Sequence, residues 1–230
     1  MQYFGGKQRI ARRIVEAMTP DILALGVYVE PFVGGASVMS VQPHGVRIAS
    51  DANMALVSMW YALSHGWAPP SEVSEEEYRR HSLSRDDCDP MTAFVGFGCS
   101  FAGKWFGGYA RGDNGRNYAA NAASSLRRKM LGLRGVQWSC GDYESVQVPT
   151  GSVVYCDPPY RGTTQYGATG EFDSDRFWSW ARRTSLAGNK VFVSEYSAPA
   201  GFEVVLEVAT STDVRTRNGR DARVERLFSM

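Results

Sequence analysis

No apolar run in this chain approaches the roughly 20 residues that a membrane-crossing helix needs. The opening residues, MQYFGGK, also lack the hydrophobic stretch of a secretory signal. Together these absences predict a cytoplasmic protein with no membrane partner. Cysteine is scarce, and Cys88, Cys99, Cys140 and Cys156 form no CxxC pair, so neither a disulfide framework nor a metal site is signalled. The dinucleotide fingerprint GxGxxG is missing, and no Gly-Lys-Ser/Thr closes a phosphate loop. Nor is there an excess of one charge. Lys and Arg number 25 against 24 Asp and Glu, for a net +1, which excludes a protein that coats nucleic acid through bulk charge.

What is present is enough for one substantial core: 230 residues, 43% of them hydrophobic. The charges are segregated along the chain. Lys7, Arg9, Arg12 and Arg13 open it without an acid; Arg111, Arg116, Arg127, Arg128, Lys129 and Arg134 face Asp113 alone. The tail brings Arg215, Arg217, Arg220, Arg223 and Arg226 against Asp221 and Glu225, while Glu72 to Asp89 is acidic. Such blocks can present separate basic and acidic faces despite a balanced total.

Strand and helix signals alternate, which predicts an α/β fold with a doubly wound, mostly parallel sheet. Ile10, Ile14, Val15 and Met18 mark a helix over residues 7–18, stopped by Pro20. Strands are expected at Val27–Phe32, Val46–Ser50, Ser152–Cys156 and Lys190–Ser194, and helices at Ala55–Leu63 and Asp173–Ala187. Phe202–Val208 and Arg223–Phe228 read as a C-terminal antiparallel hairpin around Asn218-Gly219. From Trp60 to Gly135 the alternation breaks into glycines and aromatics, too long for a plain crossover. Residues 61–134 therefore read as an inserted, substrate-facing subdomain, and 1–60 with 135–230 as the catalytic domain. Phe94, Phe97, Phe101, Trp105, Phe106 and Tyr109 suit a small core for the insertion; Arg111, Arg116 and Asn117 suit contacts to base edges or phosphates.

Three patterns carry chemistry. Gly34-Gly35 after a strand lets the backbone approach a ligand closely. Asp51, at the end of the second strand, stands where an acid can accept hydrogen bonds from a ribose, although capping the helix that follows is an ordinary alternative. The most specific is Asp157-Pro158-Pro159-Tyr160. An exocyclic aromatic amine is a poor nucleophile because its lone pair is delocalised into the ring. Asp157 and the Pro158 carbonyl can hold such an amine, the prolines stiffen the loop, and Tyr160 offers a face for an extruded base.

These segments, with Tyr3-Phe-Gly-Gly-Lys7, Glu30-Pro-Phe-Val-Gly-Gly-Ala-Ser37 and Gly141-Asp-Tyr143, resemble the Dam-type DNA adenine-N6 methyltransferases in the same linear order. The resemblance implies that Tyr3, Gly5, Lys7, Glu30, Phe32, Gly34 and Gly35 hold the methionine part of S-adenosylmethionine, and that Asp157 borders the cofactor. It further implies Asp51 for the ribose, and Asp142 with Tyr143 for the adenine. Double-stranded DNA is the expected partner, touched by Arg111, Arg116, Asn117 and the hairpin arginines Arg215, Arg217 and Arg220. The insertion only loosely echoes the family's target-reading segment, so no target sequence follows. A cytosine-C5 enzyme needs a nucleophilic cysteine after proline, and no Pro-Cys occurs. Other amine methyltransferases, acting on cytosine N4 or on RNA adenine, tend to carry a different first residue in the tetrapeptide. The remaining alternative is a catalytically inactive DNA-binding module.

Overall fold

The computed structural model describes residues 3, 5–111, 115–160, 172–216 and 219–230, and from 210 to 223 its backbone only. In chain order come α1 (Ala11–Leu25), β1 (Val27–Glu30), β2 (Val46–Asp51), α2 (Met54–Ser64), α3 (Glu75–Ser84), α4 (Pro90–Ala93) and α5 (Tyr118–Met130). They are followed by β3 (Gln137–Cys140), β4 (Val153–Cys156), α6 (Ser174–Leu186), β5 (Lys190–Glu195), β6 (Glu203–Thr216) and β7 (Gly219–Ser229). The seven strands form one sheet in the order β3-β2-β1-β4-β5-β7-β6. The first five run parallel, while β7 is antiparallel to both β5 and β6.

Strand alternation sends neighbouring side chains to opposite faces of this sheet. Tyr28, Tyr155 and Phe192 join one core with α1, α2 and α5. Val29, Val154, Val191 and Val193 join the other with Phe177, Trp180 and Ala181 of α6. All four residues of β4 are buried, as a central parallel strand covered on both sides requires. The order reverses between β1 and β4. Beyond their carboxyl ends lies the crevice where open α/β sheets take ligands.

Helix α1 differs from expectation at both ends. Residues 7–10 form a turn, and the helix then passes through Pro20 to Leu25, closing on left-handed Gly26. The lost bond costs about 3 kcal/mol, but the apolar stripe of Ile14, Val15 and Met18 continues to fully buried Ile22, which offsets it. The hairpin strands are longer than their apolar cores suggest. Strand β3 and helix α3 carry little apolar patterning, whereas α5 buries Ala119, Ala122, Ala123 and Leu126 at helical spacing; β3 is an edge strand, mostly exposed.

Between α2 and β3, Phe94 and Phe97 are fully buried and belong to the same apolar cluster as α1, α2 and the sheet. Phe101 is 67% exposed and no part of a core. A Cβ on Gly132 would lie 1.9 Å from the Ser40 carbonyl oxygen, so the turn after α5 is pressed against the segment after β1. Arg47 ties the same turn by donating to the Gly132 and Arg134 carbonyls.

Candidate active site

The glycine turn leaves the end of β1, and the tetrapeptide leaves the end of β4, so the two flank the reversal of strand order. Gly34 has φ +46, a left-handed conformation that glycine adopts without cost. Its N–H donates to Asp51 Oδ2 at 2.8 Å, and its carbonyl accepts from Trp60 Nε1 at 3.0 Å. The second Asp51 oxygen accepts from the Asn53 N–H at 2.9 Å. Helix α2 is capped by Asn53 instead, whose side chain accepts from Leu56 N. Asp51 thus clamps two turns together while each oxygen retains acceptor capacity. Burial raises its pKa, and the backbone donors oppose that rise.

Close approach to the glycines is made by Tyr3. A Cβ on Gly34 would lie 3.0 Å from the Tyr3 ring, and one on Gly35 2.9 Å from its Cβ. The ring packs on Phe97 at 4.9 Å, which joins the N-terminal segment to the chain between α4 and α5. Gly5, with φ +76, lets the chain turn from Tyr3 towards Lys7.

Lys7 is only 7% exposed, and its ammonium lies between two acids: Asp157 Oδ1 at 2.8 Å and Glu225 Oε1 at 2.9 Å. Burial works against its charge, but Asp157 and Glu225 outweigh burial and raise its pKa. Glu225 Oε1 also accepts from the Tyr160 hydroxyl at 2.5 Å, and the ammonium stands 4.6 Å from the Tyr160 ring centre. The Tyr196 ring meets Tyr160 edge-on at 4.8 Å. Pro158 is buried and Pro159 partly so. For Asp157, burial pushes the pKa up, Lys7 pulls it down, and Glu225 adds to the rise.

Beneath this cluster Glu30 is buried, accepts from the Tyr28 hydroxyl at 2.5 Å, and is pushed up to about 8 by burial. Lys129 reaches in from α5, donating to the Gly35 carbonyl and to Ser37 Oγ; burial lowers its pKa to about 8, against the pull of Glu30. On the other sheet face Phe32 stacks on buried Tyr143 with centroids 5.3 Å apart. Burial raises the Tyr143 hydroxyl to about 12. Asp142 is exposed, and its carboxylate accepts from the Glu144 N–H at 3.0 Å, so it caps the short turn that presents Tyr143.

A family model for the D12 class N6 adenine-specific DNA methyltransferases matches residues 3–82 and 101–207, which span the glycine turn, Asp51 and the tetrapeptide. The chain belongs to this family. It is therefore a methyl-transferring enzyme, and the matched residues include both turns that border the crevice created by the strand order. No curated protein sequence matches the chain. Among solved structures, the rRNA methyltransferase aviRa from Streptomyces viridochromogenes is 15% identical with TM-score 0.41, covering 95% of this chain and 83% of that one. Precorrin 8w decarboxylase from Methanobacterium thermoautotrophicum is 13% identical with TM-score 0.34, covering 92% and 89%.

Of the expected DNA-facing residues, three have described side chains. Arg111 pairs with Glu75 at 2.6 Å; the Asn117 side chain caps α5 and donates to the Ser71 carbonyl at 2.9 Å. Arg116 lies over the Tyr118 ring at 5.1 Å, and all three residues line one cavity of about 520 Å³. Arg217 falls outside the described residues. Arg215 and Arg220 face each other across β6 and β7, with only their backbones described. Sequence reasoning missed Glu225, which counted as a countercharge in a basic tail, and Lys129, which counted as one of three basic residues ending a helix. Among the described residues no helix is long and apolar enough to cross a membrane.

Proposed function

We propose that this D12 enzyme transfers the methyl group of S-adenosylmethionine to N6 of adenine in double-stranded DNA. The observation that carries the reading is Asp157 Oδ1 holding the buried Lys7 nitrogen at 2.8 Å, the geometry asked of an acceptor for a substrate amine. The residues at the end of β1 suit the donor as well: Gly34 and Gly35 present backbone without a side chain, closely packed by Tyr3, and buried Glu30 and partly buried Lys129 add polar groups nearby.

When bound, S-adenosylmethionine supplies a sulfonium methyl to the attacking nitrogen and departs as the thioether with the electron pair of the broken C–S bond. The chain's own residues orient and polarise. Asp157 and the Pro158 carbonyl accept hydrogen bonds from the two N6–H groups, so the nitrogen lone pair points away from the base plane. Asp157 also offsets the positive charge that grows on N6, and the surplus proton leaves along that hydrogen bond. Tyr160 stacks the extruded base, recovering part of the few kcal/mol, roughly, that flipping costs. Tyr3, Gly5, Lys7, Glu30, Phe32, Gly34 and Gly35 are assigned to the methionine end, Asp51 to the ribose, and Asp142 with Tyr143 to the adenine.

Residues 61–134 are assigned to DNA recognition on the remaining catalytic domain, with Arg111, Arg116, Asn117, Arg215, Arg217 and Arg220 as contacts. The protein is assigned to the cytoplasm, where its substrate lies. The test is incubation of the purified protein with unmethylated plasmid DNA and labelled cofactor, followed by digestion to nucleosides and mass spectrometry. N6-methyladenine without N4-methylcytosine is expected. Methylcytosine as the main product, label only in added RNA, or DNA binding without any transfer would each replace the reading.

A further inference from the structure

Glu225 lies beyond the residues that the family model matches, on strand β7, yet it touches two members of the tetrapeptide cluster. We propose that Glu225 is a positioning residue that shares the Lys7 ammonium with Asp157 and receives it when the target amine takes the Asp157 oxygen. The proposal rests on the amine-transfer reading above.

The geometry creates the need for such a residue. With no substrate bound, Asp157 Oδ1 already pairs with the Lys7 ammonium, 2.8 Å away. For an amine to replace it, a buried ammonium must let go of its carboxylate. Releasing a buried charge without a second partner is heavily disfavoured. Glu225 Oε1 stands 2.9 Å from the same nitrogen, so the ammonium can move from shared to undivided pairing by side-chain rotation alone, and Gly5 O at 3.4 Å is a further acceptor. An ammonium has three donors, enough to bridge both acids before the exchange.

Charge points the same way. Two carboxyl groups against one ammonium give the cluster an excess of acidic side chains, which suits an amine that is becoming positive. With Glu225 neutral, Lys7 would cancel Asp157 and weaken it as an acceptor. Glu225 also fixes the ring that takes the base, through the 2.5 Å bond from Tyr160. The strand holds Glu225 in place: it pairs with Val208 in register, and the next residue, Arg226, binds Glu207 and the Tyr196 carbonyl.

The experiment compares Glu225→Gln, Glu225→Asp and Tyr160→Phe with wild type, using plasmid DNA and tritiated cofactor. Glu225→Gln keeps an acceptor for Tyr160 but loses the charge, so kcat should fall on the order of a hundredfold, while affinity for DNA is unchanged. Among the described residues, the ionisable groups that interact with Asp157 are Lys7, Glu225, Tyr160, Tyr155, Cys156 and Glu30. Removing the negative one that raises the Asp157 pKa should move the acid limb of the kcat profile to lower pH. Glu225→Asp should retain most of the turnover, and Tyr160→Phe should leave the acid limb nearer to wild type than Glu225→Gln does. In a Lys7→Met background, Glu225→Gln should cost little more, because no ammonium is left to share. If Glu225→Gln does not melt cooperatively, Glu225→Ala replaces it with the same expectations. A wild-type kcat and acid limb in the neutral variant, or equal losses for Asp and Gln, overturn the proposal. A wild-type enzyme that makes no N6-methyladenine overturns the underlying reading instead, whatever Glu225 does.

Discussion

Asp157 sits where burial favours the neutral acid and Lys7 favours the ion, with the balance displaced towards the acid. If Asp157 holds N6 as proposed, the ion is the stronger acceptor, so kcat should decline on the acid side at a pH above the ordinary aspartate range, which a pH–rate profile at saturating DNA measures. Asp157→Ala should lose roughly a hundredfold to a thousandfold in kcat while still binding duplex DNA, read by single-turnover kinetics and filter binding. Glu30 supplies a separate prediction about stability. Its pKa is raised from 4.5 to about 8 in the fold, so folding is favoured most below the unfolded value, and that advantage is lost as pH climbs through about 8. Glu30→Gln cannot ionise. Its melting temperature should match wild type near pH 4.5 and exceed it at pH 9; an equal gap at both values would remove the assignment. The single residues legible in the sequence were those with rigid local grammar, the paired glycines and the paired prolines. Glu225 was illegible because its meaning comes from a strand pairing that brings it beside residue 7.

At the level of elements, the glycine turn depends on a left-handed φ at Gly34 and on an open path for the Tyr3 ring. Gly34→Val meets both obstacles. It should lower unfolding free energy by about 1–3 kcal/mol and weaken cofactor binding, by denaturant titration and calorimetry respectively. The β6–β7 hairpin carries the other element-scale prediction. If Arg215, Arg217 and Arg220 meet phosphates, replacing them with Ala should flatten the slope of log affinity against log salt by about 0.9 per lost contact. An unchanged slope would assign DNA binding elsewhere. Strands β1, β2, β4 and β5 were visible in advance because each is short, apolar and bounded by a turn signal. Helix α1 was cut short in the reading because proline is a local signal, whereas the buried side of Ile22 is a tertiary fact. Helix α3, led by three acids and a Ser74–Glu77 capping box, was passed over as a charge cluster.

Over the whole molecule, the alternating pattern conveyed a parallel sheet with a terminal hairpin, but nothing in it conveyed that β7 lies between β5 and β6. Strand order is set by which faces find cover, not by local propensity. One global consequence is measurable: a ligand at a hundred times its Kd adds about 2.7 kcal/mol. For a chain of this size that is about 5–10 °C in melting temperature. S-adenosylhomocysteine should produce such a shift in wild type, and Asp51→Ala should abolish most of it while retaining a cooperative transition.

The place of β7 also has a meaning in time. A ribosome releases the glycine turn, Asp51 and the tetrapeptide while this strand is still unmade, so the growing chain holds most of its chemistry early. Until β7 docks, the contacts of Glu225 with the Tyr160 hydroxyl and the Lys7 ammonium are unmade, and β5 presents an open edge. The pairing of β7 with β5 therefore comes later in synthesis than the tetrapeptide it completes.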